Sequence, residues 1–209
     1  MYLTRMELDT SKRKTIIALT APKLFHGAIE QALTERDRKL WRVDQIGMKT
    51  YLLLVTQKKP DLTAAAAQFG TADGWVTRDY SPFLENIHTG EKRRFRLTAN
   101  PIITKSKGTG NRGDVKNHVT VEQQQQWLMD RAEKHGFHLQ PDEFSVVESR
   151  WFSFVKGNEG LKKVVFHAVT FEGVLTVTDE ALLRDALQNG IGREKAYGCG
   201  MMTVLRSEL

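Results

Sequence analysis

The chain has 209 residues, of which 40% are hydrophobic and 27% are charged, and its formal net charge is +6. The length suits one large domain or two small ones, and no apolar run reaches the roughly 18 residues that a membrane helix needs. A single cysteine, Cys199, excludes an internal disulfide and a multi-cysteine metal site, and the amphipathic N-terminus does not have the pattern of a signal peptide. We therefore expect a cytoplasmic protein with no membrane contact, and the positive charge favours an anionic partner, nucleic acid first.

The first half of the chain alternates strand-like and helix-like patterns. Apolar and polar residues alternate in the first strand, and apolar residues recur at helical spacing after Pro22, a residue that is tolerated at a helix start. The predicted elements are a strand at 2–8, a polar and then a short apolar stretch at 9–20, a helix from Pro22, strands at 40–46 and 50–56, a helix over 62–69, and a short strand at 74–78. This βαββαβ order is the ferredoxin-like pattern.

The second half repeats the same order of elements without a close sequence repeat. The predicted elements are a basic strand at 94–100 that continues into 102–104, a mobile loop over 105–117, a helix at 120–135, a strand at 144–155, a turn at 157–160, a strand at 162–170 that extends over 171–178 with a bulge at Gly173, a helix at 179–189 and a strand at 201–205. We therefore predict an α+β fold. It consists of two tandem ferredoxin-like, RRM-like domains with antiparallel sheets, at residues 1–88 and 89–209, and a C-terminal glycine-rich loop.

That loop, Gly190 to Gly200, contains four glycines and two cations, Arg193 and Lys195. Phosphate-cradling loops run from a strand into a helix, whereas this loop follows a helix and leads into a strand. The dinucleotide and Walker A spacings also fail. Two interpretations remain open from these residues: a plain turn with a glycine cap at Gly190, or a basic loop whose backbone approaches a partner closely.

Among the six histidines, His26 is the candidate for chemistry. It lies in the first turn of the helix that begins at Pro22, with Lys23 and Glu30 on the same face. An imidazole with an unperturbed pKa of about 6.5 can donate or accept a proton at neutral pH. The residues alone leave open whether His26 transfers protons or is an ordinary helix-surface histidine. Gly27, which costs about 1 kcal/mol relative to alanine inside a helix, would be explained by close approach of another backbone.

No pattern of metal ligands accompanies this histidine. His135 and His138 are three residues apart, but Gly136 interrupts the helix between them and no third ligand is apparent. The acidic residues are scattered, whereas a two-metal nuclease needs several convergent carboxylates. We therefore predict no metal and no cofactor.

The basic residues predict how a nucleic acid would be bound. Neither half carries the aromatic motif of an RRM sheet, so RNA would be contacted by basic loops and by the hairpin at 150–163, whose cations suit the phosphates of an A-form stem. A solvated strand face is the competing interpretation of that hairpin. The predicted RNA-binding residues are Arg112, Lys116, Arg150, Lys156, Lys162, Lys163, Arg193 and Lys195.

Several short segments together resemble the CasE family of CRISPR repeat-processing endoribonucleases, and the resemblance covers nearly the whole chain. Each segment alone is a weak signal, but the Phe-Arg-Leu-x-Ala-Asn-Pro phrase and the final glycine loop are fairly specific in combination. The segments are Met1-Tyr2-Leu3, Leu24-Phe25-His26-Gly27, Phe95 to Pro101, Phe171 to Leu175, and Gly190-Ile191-Gly192 through Gly198-Cys199-Gly200.

The resemblance implies metal-independent cleavage of a CRISPR precursor RNA at the base of each repeat hairpin, with a 2′,3′-cyclic phosphate product. It also implies that the protein stays bound to the processed guide RNA, together with the other Cascade subunits. The family's catalytic histidine falls on His26. Some members carry a tyrosine three residues earlier, where this chain has Lys23. Two roles are therefore open for Lys23, an electrostatic stabiliser or, if its pKa is depressed, the base.

Two other classes of function compete with this one. The first is a non-catalytic RNA-binding or assembly subunit of a CRISPR ribonucleoprotein, which would keep the glycine loop and the basic face but cleave no hairpin. The presence of His26 at the matching position argues against it. The second is a small basic structural protein without a nucleic acid partner, for which RNA binding would be absent or insensitive to salt.

Overall fold

Strand β1, Tyr2–Leu8, buries Thr4, Met6 and Leu8 on one face, as its alternating sequence predicts, and lies between two partners in the first sheet. The structure is a computed structural model that describes residues 1–33, 38–105, 108, 113–156 and 162–206. For Lys105, Lys156 and Lys162 it describes the backbone alone. No helix of this described part is long and apolar enough to cross a bilayer.

The first half forms a four-stranded antiparallel sheet covered by helices on one face. Its strands run in the order β2-β3-β1-β4, the ferredoxin-like order that the sequence predicts. The elements after β1 are α1 Arg13–Thr20, α2 Lys23–Gln31, β2 Lys39–Ile46, β3 Lys49–Thr56, α3 Thr63–Phe69, β4 Gly70–Asp79 and α4 Ser81–Glu85.

The second half repeats this arrangement with two additions. Strands β11, β5 and β10 lie side by side, and β10 pairs with both β9 and the two-residue β8, all of them antiparallel. Strands β6 and β7 form a separate hairpin. The elements are β5 Lys92–Ala99, β6 Ile102–Lys105, β7 Asp114–Asn117, α5 Val121–Ala132, β8 Phe137–His138, β9 Phe144–Lys156, β10 Lys162–Val177, α6 Glu180–Asn189 and β11 Met202–Arg206. The predicted class, two tandem ferredoxin-like domains, is confirmed.

Polar caps fix the helices that cover the second sheet. The Asp179 carboxylate accepts hydrogen bonds from the backbone amides of Ala181 and Leu182, both at 2.9 Å, and α6 ends at Gly190 with a φ of 72°. The Thr120 hydroxyl accepts from the Gln123 amide at the start of α5. These are the start and stop signals expected of a soluble helix, and they place the glycine loop directly after α6.

Helix α1 was not predicted, because its sequence resembles a short apolar strand. Ile16 and Ile17 are exposed, and burial instead falls on Thr15 and Ala18, three residues apart, which is the helical period. Strand β4 is longer than the predicted 74–78, since it pairs along β1 from Gly70 to Asp79.

The second half also corrects three details. Residues 114–117 of the predicted loop form β7, which pairs with β6. Strand β6 is therefore part of a separate hairpin and not a continuation of β5 as predicted. Residues 106–107 and 109–112 of the predicted loop lie outside the described residues, as does the predicted turn at 157–160. The predicted helix at 120–135 ends at Ala132 and tightens into a single 3₁₀ turn. The irregularity lies on β9, which steps two residues from Glu148 to Val146 while β10 steps from Thr170 to Phe171. It does not lie at Gly173, where a side chain would collide with the Glu143 carbonyl.

One hydrophobic core joins the two halves. Leu40, Val55 and Ile87 from the first half are buried in the same cluster as Leu97 and Met202 from the second. A separate core under α1, α2 and α3 contains Phe25 and Trp41. The last strand of the first sheet ends at Asp79, and the first strand of the second sheet begins at Lys92. A domain boundary at residue 88, between them, remains a prediction.

Candidate active site

His26 lies on α2 with its side chain about one-third exposed, at 36%. Phe25 and Ile29 are the buried residues of this helix, and they turn toward the core. His26 directly follows Phe25 and therefore lies at the boundary between the buried and exposed faces of the helix. A side chain added at Gly27 would meet nothing within 4 Å among the residues that the structure describes. The described residues therefore do not make the close approach that would explain this glycine.

Glu30 follows His26 by one helical turn and faces it. Its Oε1 lies 3.8 Å from His26 Nδ1, and its Oε2 accepts a 2.8 Å hydrogen bond from Lys39, whose side chain is only 5% exposed. The buried lysine holds the carboxylate in place, and the carboxylate lies on the Nδ1 side of the ring. This arrangement leaves Nε2 as the imidazole nitrogen available to a ligand.

Tyr197, in the glycine-rich loop, forms the opposite wall. Its ring meets the His26 ring edge-to-face, with centroids 5.9 Å apart and planes at 71°. It also packs edge-to-face on Phe154 of β9 at 4.9 Å, and nearly parallel to Phe166 of β10 at 6.0 Å. The tyrosine therefore ties the catalytic candidate on α2 to the second sheet. Aromatic pairs in this geometry are attractive and directional.

The glycines of the loop allow this close packing. Gly198 has a φ of 87°, and a Cβ there would lie 3.0 Å from the Trp41 ring. Gly190 likewise has a φ of 72°, with Leu40 and the Gly200 carbonyl within 2.8 Å of the position of a Cβ. The Trp41 indole donates a hydrogen bond to the Ala196 carbonyl at 3.2 Å. The loop is therefore fixed against β2 of the first sheet, and it does more than end a helix.

Lys23 joins the same site to the long hairpin of the second half. Its Nζ donates a 2.8 Å hydrogen bond to the Val155 carbonyl on β9. His26 lies one turn further along α2, so the ammonium group lies on the face of the helix that carries the histidine. The structure thus brings together four elements at one place: α2, β9, β10 and the glycine loop.

The predicted RNA-binding residues are only partly gathered at this place. Arg150 is exposed on β9 with its guanidinium 4.8 Å from the Phe152 ring, and Lys163 is exposed on β10 opposite Val155. Lys156 and Lys162 face each other in the strand register, but their side chains lie outside the description, as does Arg112 entirely. Lys116 is exposed on β7.

The two cations of the glycine loop differ from each other. Arg193 is exposed. Lys195 is half-buried, and burial lowers its pKa, an effect that the charge of Arg38 reinforces and that of Asp185 opposes. The charges close enough to affect this lysine thus belong to the α6 side of the loop, whereas Tyr197 provides the contact with His26.

Many cations of the basic segment 91–118 are paired inside the protein. Arg93 is 2% exposed and donates to the Glu91 carboxylate and the Asn86 carbonyl, and Arg96 forms ion pairs with Asp44 and Glu172. Net charge along the sequence therefore overstates the charge that this segment offers to a partner.

A cleft of about 270 Å³ between the two sheets holds the densest of these networks. Arg42, which is 2% exposed, binds the Asp44 carboxylate through two nitrogens at 2.7 and 2.6 Å and also donates to the Met201 carbonyl. Sequence analysis did not identify this network, because its members lie on strands far apart in the chain. The pairing neutralises most of the charge in the cleft, and the network joins the two halves.

Sequence analysis also did not identify Tyr197 as a site residue. The signal that could have found it is an aromatic residue among the glycines of the loop. Only the folded chain shows which ring it meets. Within the described ranges, no group of three or more His, Cys, Asp or Glu residues could hold a metal ion.

The fold and the site together define a class: a tandem ferredoxin-like protein in which a tyrosine of a glycine-rich loop packs against a partly exposed histidine. The chain belongs to the family of CRISPR associated proteins, whose model matches residues 1–206. It is similar to the CRISPR-associated endoribonuclease Cse3 of Thermus thermophilus, with 31% identity over 218 residues that cover 98% of this chain and 99% of that protein. The family resemblance predicted from the sequence is confirmed.

Two further comparisons agree with this assignment. The CRISPR system Cascade subunit CasE of Escherichia coli is 30% identical over 122 residues, which cover 56% of this chain and 60% of that protein. A solved structure of CRISPR endoribonuclease Cse3 bound to a 19-nucleotide RNA superposes with a TM-score of 0.81 at 26% identity, covering 98% of this chain and all of that one.

Proposed function

We propose that this protein is a metal-independent endoribonuclease that binds the repeat hairpins of CRISPR precursor RNA and cleaves each at the base of its stem. The observation that carries the proposal is the position of His26, one-third exposed between Glu30 and Tyr197 and one turn from Lys23. The similarity to an endoribonuclease over the full length of both chains supports the same activity.

The chemistry is a transfer within the RNA strand. The 2′-hydroxyl loses its proton to solvent as its oxygen attacks the adjacent phosphorus, and the bond from phosphorus to the 5′-oxygen of the next nucleotide breaks. The products are a 2′,3′-cyclic phosphate and a 5′-hydroxyl end, so the 5′-oxygen must gain a proton as it leaves. His26 donates that proton from Nε2. The carboxylate of Glu30 keeps the ring in this orientation from the Nδ1 side, and Tyr197 limits its rotation.

Lys23 acts as the electrostatic stabiliser of the negative charge that develops on the phosphorane oxygens. Its ammonium group lies at the junction of α2 and β9, where an RNA strand that reaches His26 would pass. Positive charge fixed in advance at such a point stabilises the transition state without further rearrangement.

The RNA stem binds along the hairpin of β9 and β10 and along the glycine loop. The residues proposed for this contact are Lys116, Arg150, Lys156, Lys162, Lys163, Arg193, Lys195 and Arg112. Phosphate contacts of this kind release counterions, so hairpin affinity falls steeply with salt concentration. The protein acts in the cytoplasm, where it keeps its product and assembles with the other Cascade subunits, as the name of the Escherichia coli relative suggests.

The test is incubation with the repeat hairpin of the organism's own CRISPR array in the presence of EDTA, with analysis of both product ends. We expect cleavage at one site, a 2′,3′-cyclic phosphate upstream and a 5′-hydroxyl downstream. The His26→Ala variant should slow cleavage about 10²- to 10⁴-fold and leave the hairpin Kd nearly unchanged. His88→Ala is the matched control, because that histidine is 58% exposed and contacts Glu180 far from the site.

Full cleavage by His26→Ala in EDTA would overturn the assignment of the acid. Tight binding by the native chain without cleavage of any hairpin would instead support the non-catalytic RNA-binding or assembly subunit. RNA binding that is absent or insensitive to salt would contradict both functions.

A further inference from the structure

Trp151 on β9 is an unusually exposed tryptophan for a protein of this size, with 51% of its surface accessible. Its ring is nevertheless fixed, because it lies flat against His167 of β10 with centroids 4.4 Å apart and planes at 2°. Cross-strand neighbours on one face of a sheet stack in this way when their strands are antiparallel. The indole is thus both accessible and held in one orientation.

His167 is itself fixed by two hydrogen bonds. It is 2% exposed, its Nδ1 donates to the His118 carbonyl at 3.3 Å, and its Nε2 accepts from the Ser149 hydroxyl at 2.6 Å. A carbonyl can only accept, so in the neutral ring the proton lies on Nδ1 and Nε2 accepts from the Ser149 hydroxyl. His167 is therefore a fixed support for the Trp151 ring. Both of its ring nitrogens are already hydrogen-bonded, so neither is free to bind a ligand.

The open face of the indole lies at the edge of the sheet. In the part of the chain that the structure describes, β9 pairs only with β10, so the side of Trp151 turned away from His167 has no neighbouring strand. Val155, whose carbonyl binds Lys23 beside His26, lies on the same strand about 13 Å further along, at about 3.3 Å per residue. A ligand that follows this edge from the active site reaches the tryptophan.

The residues around Trp151 favour a nucleic acid, which has anionic phosphates and flat bases, over a protein partner. Exposed Lys163 lies on the same face of the hairpin, and Lys116 on β7 lies two positions before His118, whose carbonyl supports the stack. Trp151 is flanked along β9 by Ser149 and Ser153, and among the described residues of this face of β9 and β10 there is no carboxylate. Val155 and Val165 are also exposed on this face, so the preference for RNA rests on the cations and on the lack of a carboxylate among the described residues.

We propose that Trp151 is a stacking platform for one unpaired base of the bound RNA, a base that lies outside the hairpin stem and extends the column formed with His167. This inference rests on the proposed function, because it requires that the chain bind a repeat hairpin. Stacking on an aromatic ring is tolerant of base identity, so the site recognises a single-stranded segment rather than a particular sequence.

The experiment compares the native chain with Trp151→Ala and Trp151→Phe. The probes are two 2′-O-methyl versions of the array's repeat hairpin, one blunt and one with single-stranded flanks, neither of which can be cleaved by a 2′-hydroxyl. We expect Trp151→Ala to weaken binding of the flanked hairpin roughly 5- to 100-fold and that of the blunt hairpin hardly at all. Trp151→Phe should retain most of the affinity. Val165→Ala is the control, because it changes another exposed side chain on the same face, at 52%.

A second measurement locates the base. 2-Aminopurine placed in turn at each flanking position should be quenched at one of them by the native chain and Trp151→Phe, but not by Trp151→Ala. The platform would be overturned if Trp151→Ala bound both hairpins as tightly as the native chain does. The same loss of affinity for both hairpins, or a defect confined to assembly with other Cascade subunits, would also overturn it. Failure of the native chain to bind either hairpin would instead refute the proposed function.

Discussion

The ammonium group of Lys23 has three protons, and the hydrogen bond to the Val155 carbonyl uses one of them. Within the described part of the chain the other two have no hydrogen-bond acceptor, and we expect them to face a phosphate that reaches His26. The same side chain therefore connects α2 to the hairpin and brings positive charge to the reaction.

Two substitutions separate these roles of Lys23. Lys23→Gln keeps a hydrogen-bond donor without the charge, and Lys23→Ala removes both. We expect Lys23→Gln to melt within a degree or two of the native chain yet to cleave about tenfold or more slowly in single turnover, since the charge acts on the transition state. Lys23→Ala should be at least as slow. Unchanged single-turnover cleavage by Lys23→Ala would remove the lysine from the mechanism.

His167 predicts a pH dependence of stability that is independent of catalysis. Burial lowers its pKa from the ordinary value, outweighing the opposite effect of its hydrogen bond to His118. The unfolded chain therefore binds a proton at a higher pH than the folded chain does, and stability falls as the pH drops below about 6.5. His135, whose pKa burial also lowers, contributes in the same direction.

The measurement is the free energy of unfolding in urea between pH 5 and pH 8. In His167→Gln, whose amide can still bond to Ser149 and to the His118 carbonyl, the decline on the acid side should be shallower than in the native chain. An identical decline in the two proteins would show that His167 is not a source of it.

At the scale of elements, the glycine loop and β2 behave as one unit. Gly198 combines a left-handed φ with contact against the Trp41 ring, and the Trp41 indole in turn binds the loop through the Ala196 carbonyl. Tyr197 lies between these two anchors. The position of the wall beside His26 therefore depends on how closely the loop packs on the tryptophan.

Gly198→Ala tests this dependence, and Gly74→Ala is its matched control. Gly74 has a φ of 69° with nothing within 4 Å of an added Cβ, so its substitution should cost only the backbone strain, about 1 kcal/mol. Gly198→Ala should cost about 2–3 kcal/mol, because the Trp41 ring must also move, and should slow cleavage as Tyr197 shifts. Urea denaturation and single-turnover rates measure both effects. Equal losses of stability and unaltered cleavage would contradict the account.

The element patterns that could be predicted from sequence are those with a strong period or a cap. The alternation at Tyr2–Leu8 and the cap of α6 are examples, and both are confirmed. Helix α1 could not be predicted, because Thr15, Ile16 and Ile17 are β-branched residues that favour strands locally, and only tertiary packing selects the helix. Strand β7 depends on a partner that the sequence does not specify.

The same distinction applies to the site. His26, Lys23 and Glu30 could be placed on one helical face from their spacing alone. The contact with Tyr197 could not, since it joins residues more than 150 positions apart. The ion pairs of Arg93 and Arg96 could not be predicted either. Arg93 binds Glu91, and Arg96 binds Asp44 on a strand of the other sheet.

At the scale of the whole molecule, the two ferredoxin-like units share a core and a buried ion network. Leu40 and Val55 of the first half pack with residues of the second, and Arg42 binds the Met201 carbonyl. Separation of the halves would expose this apolar surface. It would also break the hydrogen bonds from Arg42 to the Arg96 and Met201 carbonyls and the ion pair between Arg96 and Asp44.

We therefore expect the chain to unfold in one cooperative transition, with equal calorimetric and van't Hoff enthalpies. An excised fragment of residues 1–88 should be largely unfolded, even though the sequence predicts a domain boundary at its end. Calorimetry of the whole chain and circular dichroism of the fragment test this. Two resolved transitions, or an independently folded fragment, would contradict it.

If His26 protonates the leaving 5′-oxygen, replacement of that oxygen with sulfur should remove the need for the histidine. A 5′-bridging phosphorothiolate at the cleavage site leaves readily without a proton, so it does not need the acid. We predict that His26→Ala cleaves ordinary repeat hairpin about 10²- to 10⁴-fold more slowly than the native chain does, yet approaches the native rate on the sulfur substrate. An equal defect on both substrates, or no defect on the ordinary one, would contradict the account.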